Sequence, residues 1–582
     1  MRFYILLLLA AAVFLALFVG LEPLLTYPIW GSDTGEYYYL TQYLVNHGSL
    51  LVNGYTGWGS GYPDFPGIFI LSGAVAEATG LPTLVSLQYV VPVIGALATA
   101  PLFLLFRRLF HSDGVALLGA ATAAVVFPRV FILSHPTPDT LGDFLAIGAL
   151  WMFVEQRRDV RWLVPLSLIS MALIMSHHLS SYFFLLSAVG ILVGLEFMAP
   201  RRWSLRFPAR EFVFLGGFAT ALFTYWGFYA TAFSQQILPQ GIPSLHLSFQ
   251  GLAVLLGAAT IVGLFVLAIL VHLRRTRLGV GRTPLYLRWP TSRKLYRDAS
   301  ILAVLIFGSI CVMLFIPIPG TGQTFLPLDV LWFAPFLLLV PLTAGGIPTS
   351  SASRIGFAPY MWLIAFLISI AASVAANSQA LPVGRNVEYV AIALSLIAAI
   401  AVGGMIARLD TPLKRRSAVV GAVVLMVGLN AALAYPPPQL TLGFQEGFDY
   451  QDLAMASWAS SSLPPQSVLA SDHRLSDLYF GLSGNPATWS TTCHLFLGNS
   501  SACNSYDGTE TAIQELASTY APHEHKAVDA VAVDQTMVSS GVALDPSQPA
   551  LPMNSTALAF LQGPHFTLLY ENGAQEVWWY VP

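Results

Sequence analysis

Charge is what this sequence has least of. Asp, Glu, Lys and Arg make up 10% of its 582 residues, against roughly 25% in a soluble domain. A chain that is 55% hydrophobic with a mean hydropathy of +0.66 cannot cover a water-facing surface with polar groups. A soluble globular protein is thereby excluded, and a polytopic membrane protein remains. Cysteine is nearly absent, with only Cys311, Cys493 and Cys503. Cys311 sits in an apolar run and reads as a small core residue. Cys493 and Cys503 stand ten apart in a polar C-terminal region, where an oxidising compartment is compatible with a disulfide between them. No internal repeat is evident, although a transporter often shows two related halves. No basic tail or outer basic patch points to nucleic acid. Residues 3–21 follow a single Arg2 and lack a clean small-x-small cleavage site, so they read as an uncleaved first helix rather than a signal peptide.

What is present is a series of long apolar runs. A helix needs about 20 apolar residues to cross the bilayer core. Thirteen segments are predicted, near 3–26, 82–106, 114–133, 142–155, 162–177, 181–198, 212–233, 250–272, 300–316, 327–346, 357–376, 388–407 and 417–435. The segment at 142–155 is expected to be short. Threaded this way, 23 of the 27 Lys and Arg residues fall on one side. Arg129, Arg385, Arg474 and Lys526 are left outside or at the outer edge. Short cytoplasmic loops carry the Lys/Arg excess. The expected arrangement is therefore a multi-pass protein of the cell membrane, with its N-terminus cytoplasmic and its C-terminus extracytoplasmic.

Two domains follow from the composition. Residues 1–435 form a transmembrane domain whose first outer loop spans 27–81. At Tyr435-Pro436-Pro437-Pro438 the chain turns rich in Ser, Asp, Gly and Asn. Residues 436–582 are long enough for a core of their own and read as a small mixed α/β outer domain. Asn499-Ser500-Ser501 and Asn554-Ser555-Thr556 fit the glycosylation acceptor pattern, a weak sign of the same location.

Four places in the outer loops could do chemistry. Asp33 stands directly after the first helix, with Glu36 three residues on. Two readings compete there: a capping box in which Asp33 caps and Glu36 reaches back, or a catalytic or metal-binding carboxylate. The second outer loop crowds His135, Asp139 and Asp143 between membrane helices. Ionisable groups at membrane depth are costly and usually functional. Asp139 and His135 could share a divalent cation with Asp33, Mn²⁺ or Mg²⁺ suiting such ligands; the plain alternative has Asp139 capping the next helix. His177 and His178 end another helix and point about 100° apart, so at most one is expected to line a cavity. Arg385, an outer cation against the general trend, suggests a phosphate partner; the plain alternative pairs it with Glu388 or Asp329. The tract His523-Glu524-His525 lacks further ligands and reads as a solvated loop.

Together these features resemble the GT-C superfamily of membrane glycosyltransferases, which includes oligosaccharyltransferase catalytic subunits and protein O-mannosyltransferases. The resemblance lies in an Asp just after the first helix, a long first outer loop, a second acidic motif between helices three and four, and an outer soluble domain. Thirteen helices and a C-terminal outer domain look most like the oligosaccharyltransferase branch. The resemblance implies that Asp33 is the essential carboxylate and that Asp139 belongs to the second acidic motif, with His135 and Asp143 as neighbours. It implies that Arg385 contacts the donor phosphate. Glu36 stands two residues beyond the Asp-Glu pair of the O-mannosyltransferase branch. The acceptor-reading Trp-Trp-Asp motif is missing, since Trp578-Trp579 is followed by Tyr580. Pro317–Phe325 carries no carboxylate either, so an acceptor other than Asn-x-Ser/Thr is expected.

The function expected is inverting transfer of a sugar from a polyprenyl-phosphate donor to a glycan, lipid or protein acceptor, within membrane lipid. The alternatives are oligosaccharyltransferase-type transfer to protein and a transporter with an outer ligand-binding domain. A transporter or a scaffold would leave Asp33, Asp139 and Arg385 apart.

Overall fold

The first helix, Phe3–Leu21, buries Ala12, Ala16 and Gly20 along one stripe and exposes Phe14 and Phe18 on another. Small residues four apart let a neighbouring backbone come close without help from the hydrophobic effect. The neighbour is Thr83–Leu97, whose Pro92, Gly95 and Ala96 meet Ala16 and Gly20. The outward stripe is apolar because lipid covers it.

The computed structural model describes residues 3–198 apart from 51, 53 and 54, then 208–236, 249–277, 329–352, 357–376, 383–438, 445–489, 492–498, 527–544 and 550–581. It also describes residues 297, 301, 304, 308, 503, 516, 520, 521, 524 and 525. Among these residues, seven helices are long and apolar enough to cross a membrane: Phe3–Leu25, Thr83–Phe110, His178–Glu196, Ala209–Tyr229, Ala253–His272, Gly384–Ala407 and Pro412–Ala432. Shorter apolar helices stand between them. The chain is a helical membrane protein, as its composition predicts.

Twelve of the thirteen predicted segments coincide with helices. The segment near 300–316, with Cys311, lies outside the described residues except at isolated positions. Two boundaries differ in ways that matter. The helix expected at 142–155 starts at Pro138 and runs to Glu155. Proline at the first helical position has φ already set and needs no donor there, so Asp139 and Asp143 lie inside the first two turns. Residues 27–81, expected as the first outer loop, contain two helices, Thr34–His47 and the apolar Gly67–Thr79.

Beyond the bundle, four strands form one sheet in the order Leu469–Ala470, Ala530–Asp534, Gln575–Tyr580, Phe566–Glu571. The first pair is parallel and the others are antiparallel. Helices Tyr450–Ser462 and His473–Ser483 pack beside it over a core of Leu469, Val531, Tyr479 and Phe480. Cys493 and Cys503 form a disulfide with their Cα atoms 5.6 Å apart. Trp578 and Trp579 lie opposite Val531 and Ala530 in the sheet. Glu524 and His525 pair with Tyr520 and Ala521, while His523 lies outside the described residues.

The sheet region is fastened to the start of the first outer loop. Ile29 and Trp30 pair antiparallel with Phe448 and Gly447. Helix Thr34–His47 crosses His473–Ser483 at two glycines. A Cβ on Gly35 would stand 2.1 Å from the carbonyl oxygen of Asp477, and one on Gly481 would stand 2.4 Å from that of Gly35. Only glycine lets the two backbones touch in this way.

Candidate active site

Asp33 is the N-cap residue of Thr34–His47, yet its side chain makes no capping bond. The cap comes from another part of the chain: the N–H of Glu36 donates to Asp477 Oδ2 at 3.0 Å. The capping box considered from the sequence does not form. Relieved of that task, the Asp33 carboxylate faces His473, whose Nε2 lies 2.7 Å from Oδ1. The Tyr37 hydroxyl donates to Oδ2 at 3.2 Å and stands 3.0 Å from the hydroxyl of Tyr62. Asp33 keeps 20% of its side chain exposed, whereas His473 is fully buried against Trp58.

Burial opposes the charge of Asp33, but His473, the Tyr37 hydroxyl and the more distant Arg385 outweigh it, so the carboxyl titrates below its ordinary range. Burial likewise opposes charge on His473. The hydrogen-bonded Asp33, with Asp472 and Glu36, outweighs it and raises the imidazole above its ordinary value. Each shift favours the charged form of its own group.

Glu36 points elsewhere. Its Oε1 accepts from the Tyr55 hydroxyl and, at 2.9 Å, from the N–H of Gly59. Its side chain is fully buried, and Oε2 has no hydrogen-bond partner among the described residues. Burial pushes its carboxyl up to about 7, against the two hydrogen bonds it accepts. Glu36 thus ties the segment 55–59, which includes Trp58, to helix Thr34–His47.

The second cluster lies at the mouth of the bundle. Ser180 Oγ donates to Asp139 Oδ1 at 2.8 Å, and His177 Nδ1 lies 3.0 Å from the same oxygen. Arg385 Nη1 donates to Asp139 Oδ2 at 2.9 Å. Gly142 makes this possible, because a Cβ there would stand 2.6 Å from Ser180 Oγ and 2.7 Å from His177 Cβ. Asp139 therefore does not cap its helix, and Arg385 pairs with it rather than with Glu388; the Asp329 side chain lies outside the described residues. His177 turns toward Asp139, while His178 packs among Phe65 and Phe233. The divergence is the one expected of adjacent helical positions.

One turn deeper, Asp143 binds Arg129 at 2.5 Å with both side chains fully buried. Arg129, expected at the outer edge, is a core residue. His135 stacks on Trp30, and its Nε2 lies 3.7 Å from Glu446.

The cation set Asp33, Asp139 and His135 is not assembled. Among the described residues, no group of three or more His, Cys, Asp or Glu could hold a metal ion. Both oxygens of Asp139 are engaged, one by a guanidinium that repels cations. As arranged, these residues do not fit a divalent ion. The structure pairs Arg385 with Asp139 and holds Asp33 separately by His473 and Tyr37. His473, Asp477 and Ser180 also belong here, although sequence reasoning missed them. Tyr37 and Tyr62 join them from the aromatic-rich residues 27–81, whose composition was their signal in the sequence.

No family model and no curated protein matches the sequence. Solved structures do match in shape. The oligosaccharyltransferase of Archaeoglobus fulgidus, tethered to an acceptor peptide, superposes with a TM-score of 0.58 at 15% identity over 94% of this chain and 72% of that one. The same protein with an inhibitory peptide and a dolichol-phosphate gives 0.58 at 14% identity, over 92% and 70%. With Zn and sulfate it gives 0.53 at 14%, over 99% and 74%. The fold of this chain is therefore like that of the archaeal oligosaccharyltransferase.

Proposed function

We propose that this chain is a membrane glycosyltransferase that moves a sugar from a polyprenyl-phosphate carrier to an acceptor, with inversion at the anomeric carbon. The observation that carries the reading is a partly exposed, ionised Asp33 held by His473, with an Arg385 that is itself part exposed and held by Asp139. The fold likeness supports it, since the similar Archaeoglobus protein has been solved with an acceptor peptide and with dolichol-phosphate. In this reading residues 1–435 form the membrane domain and 436–582 the extracytoplasmic domain, with the N-terminus cytoplasmic. The charge asymmetry of the loops supports that orientation.

In the step proposed, the acceptor oxygen attacks the anomeric carbon while the bond from that carbon to the phosphate oxygen breaks. Asp33 takes the acceptor proton as general base, for which it must come within ~3 Å. Arg385, 36% exposed, steadies the leaving phosphate. His473 and Tyr37 orient Asp33, Asp139 and His177 orient Arg385, and Glu36 holds the loop above them. The engagement of Trp578 and Trp579 in the sheet favours an acceptor other than a protein sequon. The donor arrives from the surrounding lipid; no step here is routed through a cation.

The test uses the purified full chain in lipid with radiolabelled polyprenyl-phosphate sugars. Asp33→Asn is expected to lower transfer by about 10²–10⁴-fold in a chain that remains folded. Normal turnover in that variant would sink the assignment.

A further inference from the structure

A second cavity lies at the other end of the bundle. Its volume is about 700 Å³, and its walls include Tyr4, Arg107, Arg108, Trp151, Arg158 and Trp162. Glu155 on its rim stands sixteen residues beyond Asp139 on one helix, which is about 24 Å along the axis. The cavity is thus separate from the Asp33 site.

Its chemistry is cationic and aromatic. Arg107 meets Asp113 through Nε at 2.6 Å, so that bond leaves its two terminal amino groups for another anion. Arg108 Nε lies 3.3 Å from Glu155. Arg158 is exposed and pairs with no carboxylate among the described residues. Trp151 and Trp162 meet edge to face with ring centroids 5.0 Å apart, the residue type that favours the membrane–water boundary.

The flanks of the cavity are what select its occupant. On the helix that contributes Tyr4, Phe3, Leu7 and Leu8 are at least half exposed. Along the segment that contributes Trp162, Val160, Val164 and Leu168 are 53–69% exposed. Such surfaces are stable only against acyl chains, so a molecule seated here meets guanidinium groups at its head and apolar helices along its length. We propose that this cavity binds the headgroup of an anionic glycerophospholipid, its phosphate toward Arg107 and Arg158 and its chains along the two exposed flanks. Basic pockets between helices favour such headgroups.

Native mass spectrometry of the delipidated full chain, titrated with phosphatidylglycerol, phosphatidylcholine or inorganic phosphate, tests this. Phosphatidylglycerol is expected to be retained in preference to phosphatidylcholine. Arg158→Gln, an exposed change that leaves the core untouched, should weaken retention about fivefold, and Arg107→Gln should add to the loss. Arg158→Lys should restore most of it. Equal retention of the two lipids, or retention indifferent to Arg158→Gln, overturns the proposal. Displacement of the lipid by excess inorganic phosphate alone also overturns it, in favour of a soluble-anion site.

Discussion

The molecule holds two Asp–His pairs, and they differ in what remains of the carboxylate. Asp139 is 4% exposed and gives both oxygens to neighbours on other membrane helices. Asp33 is 20% exposed and lies opposite an imidazole 440 positions away in the chain. Similar pairs can therefore do different work. A saturated carboxylate orients what binds it, whereas an ionised carboxylate with an open side can meet a substrate. In the proposed reaction Asp139 fixes Arg385 and Asp33 handles the proton.

The Asp33→Asn experiment is the largest expected break in this contrast, because it should remove activity at a smaller cost in stability than the loss of Asp139, Asp33 being the more exposed of the two carboxylates. The next is Asp139→Asn, which should do the reverse in part. It leaves Arg385 and His177 facing a neutral amide. The cost expected is near the low end of the roughly 3–5 kcal/mol for breaking a buried pair, since Arg385 is partly exposed. Thermal inactivation in lipid measures it, together with a raised KM for the donor. If Asp139→Asn leaves both unchanged, the saturated pair has no orienting role.

His473→Gln sharpens the first pair. Glutamine can still donate to Asp33 but cannot titrate. The imidazole is raised in the folded protein, so its stabilisation is present below its ordinary pKa and is lost as pH rises through the raised one. Asp33 is lowered, so its share is present above its ordinary pKa and is lost as pH falls through the lowered one. The wild-type pair is thus strongest between those limits. The variant should lose the alkaline limb of the pH–rate profile and about tenfold in kcat. An unaltered profile would mark His473 as packing only.

The smallest effect is expected from Glu36→Gln. Between its ordinary value and about 7 the folded carboxyl holds a proton that the unfolded chain releases. Wild-type stability therefore falls as pH rises across that interval. Glutamine keeps the contacts of Oε1 and removes the slope, so the variant should melt roughly 3 °C higher than wild type at about pH 8. The two should converge in acid.

Much of the bundle was legible in the sequence because lipid leaves a helix few options. Every backbone group must be satisfied within the segment, so apolar length marks the span wherever it falls. Charge asymmetry adds the expected orientation. Asp33 was legible for a related reason: a carboxylate directly after a spanning helix stands at the surface whatever the rest of the chain does. The start of Pro138–Glu155 was misplaced because acidic residues lower the hydropathy of a turn that proline nonetheless begins.

The partners of Asp33 had no such local mark. His473 and Asp477 sit in a polar segment among many like it, and nothing near them in sequence refers to the first outer loop. They reach Asp33 through the pairing of Ile29–Trp30 with Gly447–Phe448 and the crossing at Gly35 and Gly481. By itself, the sequence determined the membrane class, most of the helices and the position of Asp33, because each depends on short stretches of chain meeting one solvent. Only the tertiary structure decided which aspartate stays open, which one holds Arg385 and which histidine faces it, because those contacts join residues that only the packed fold brings together.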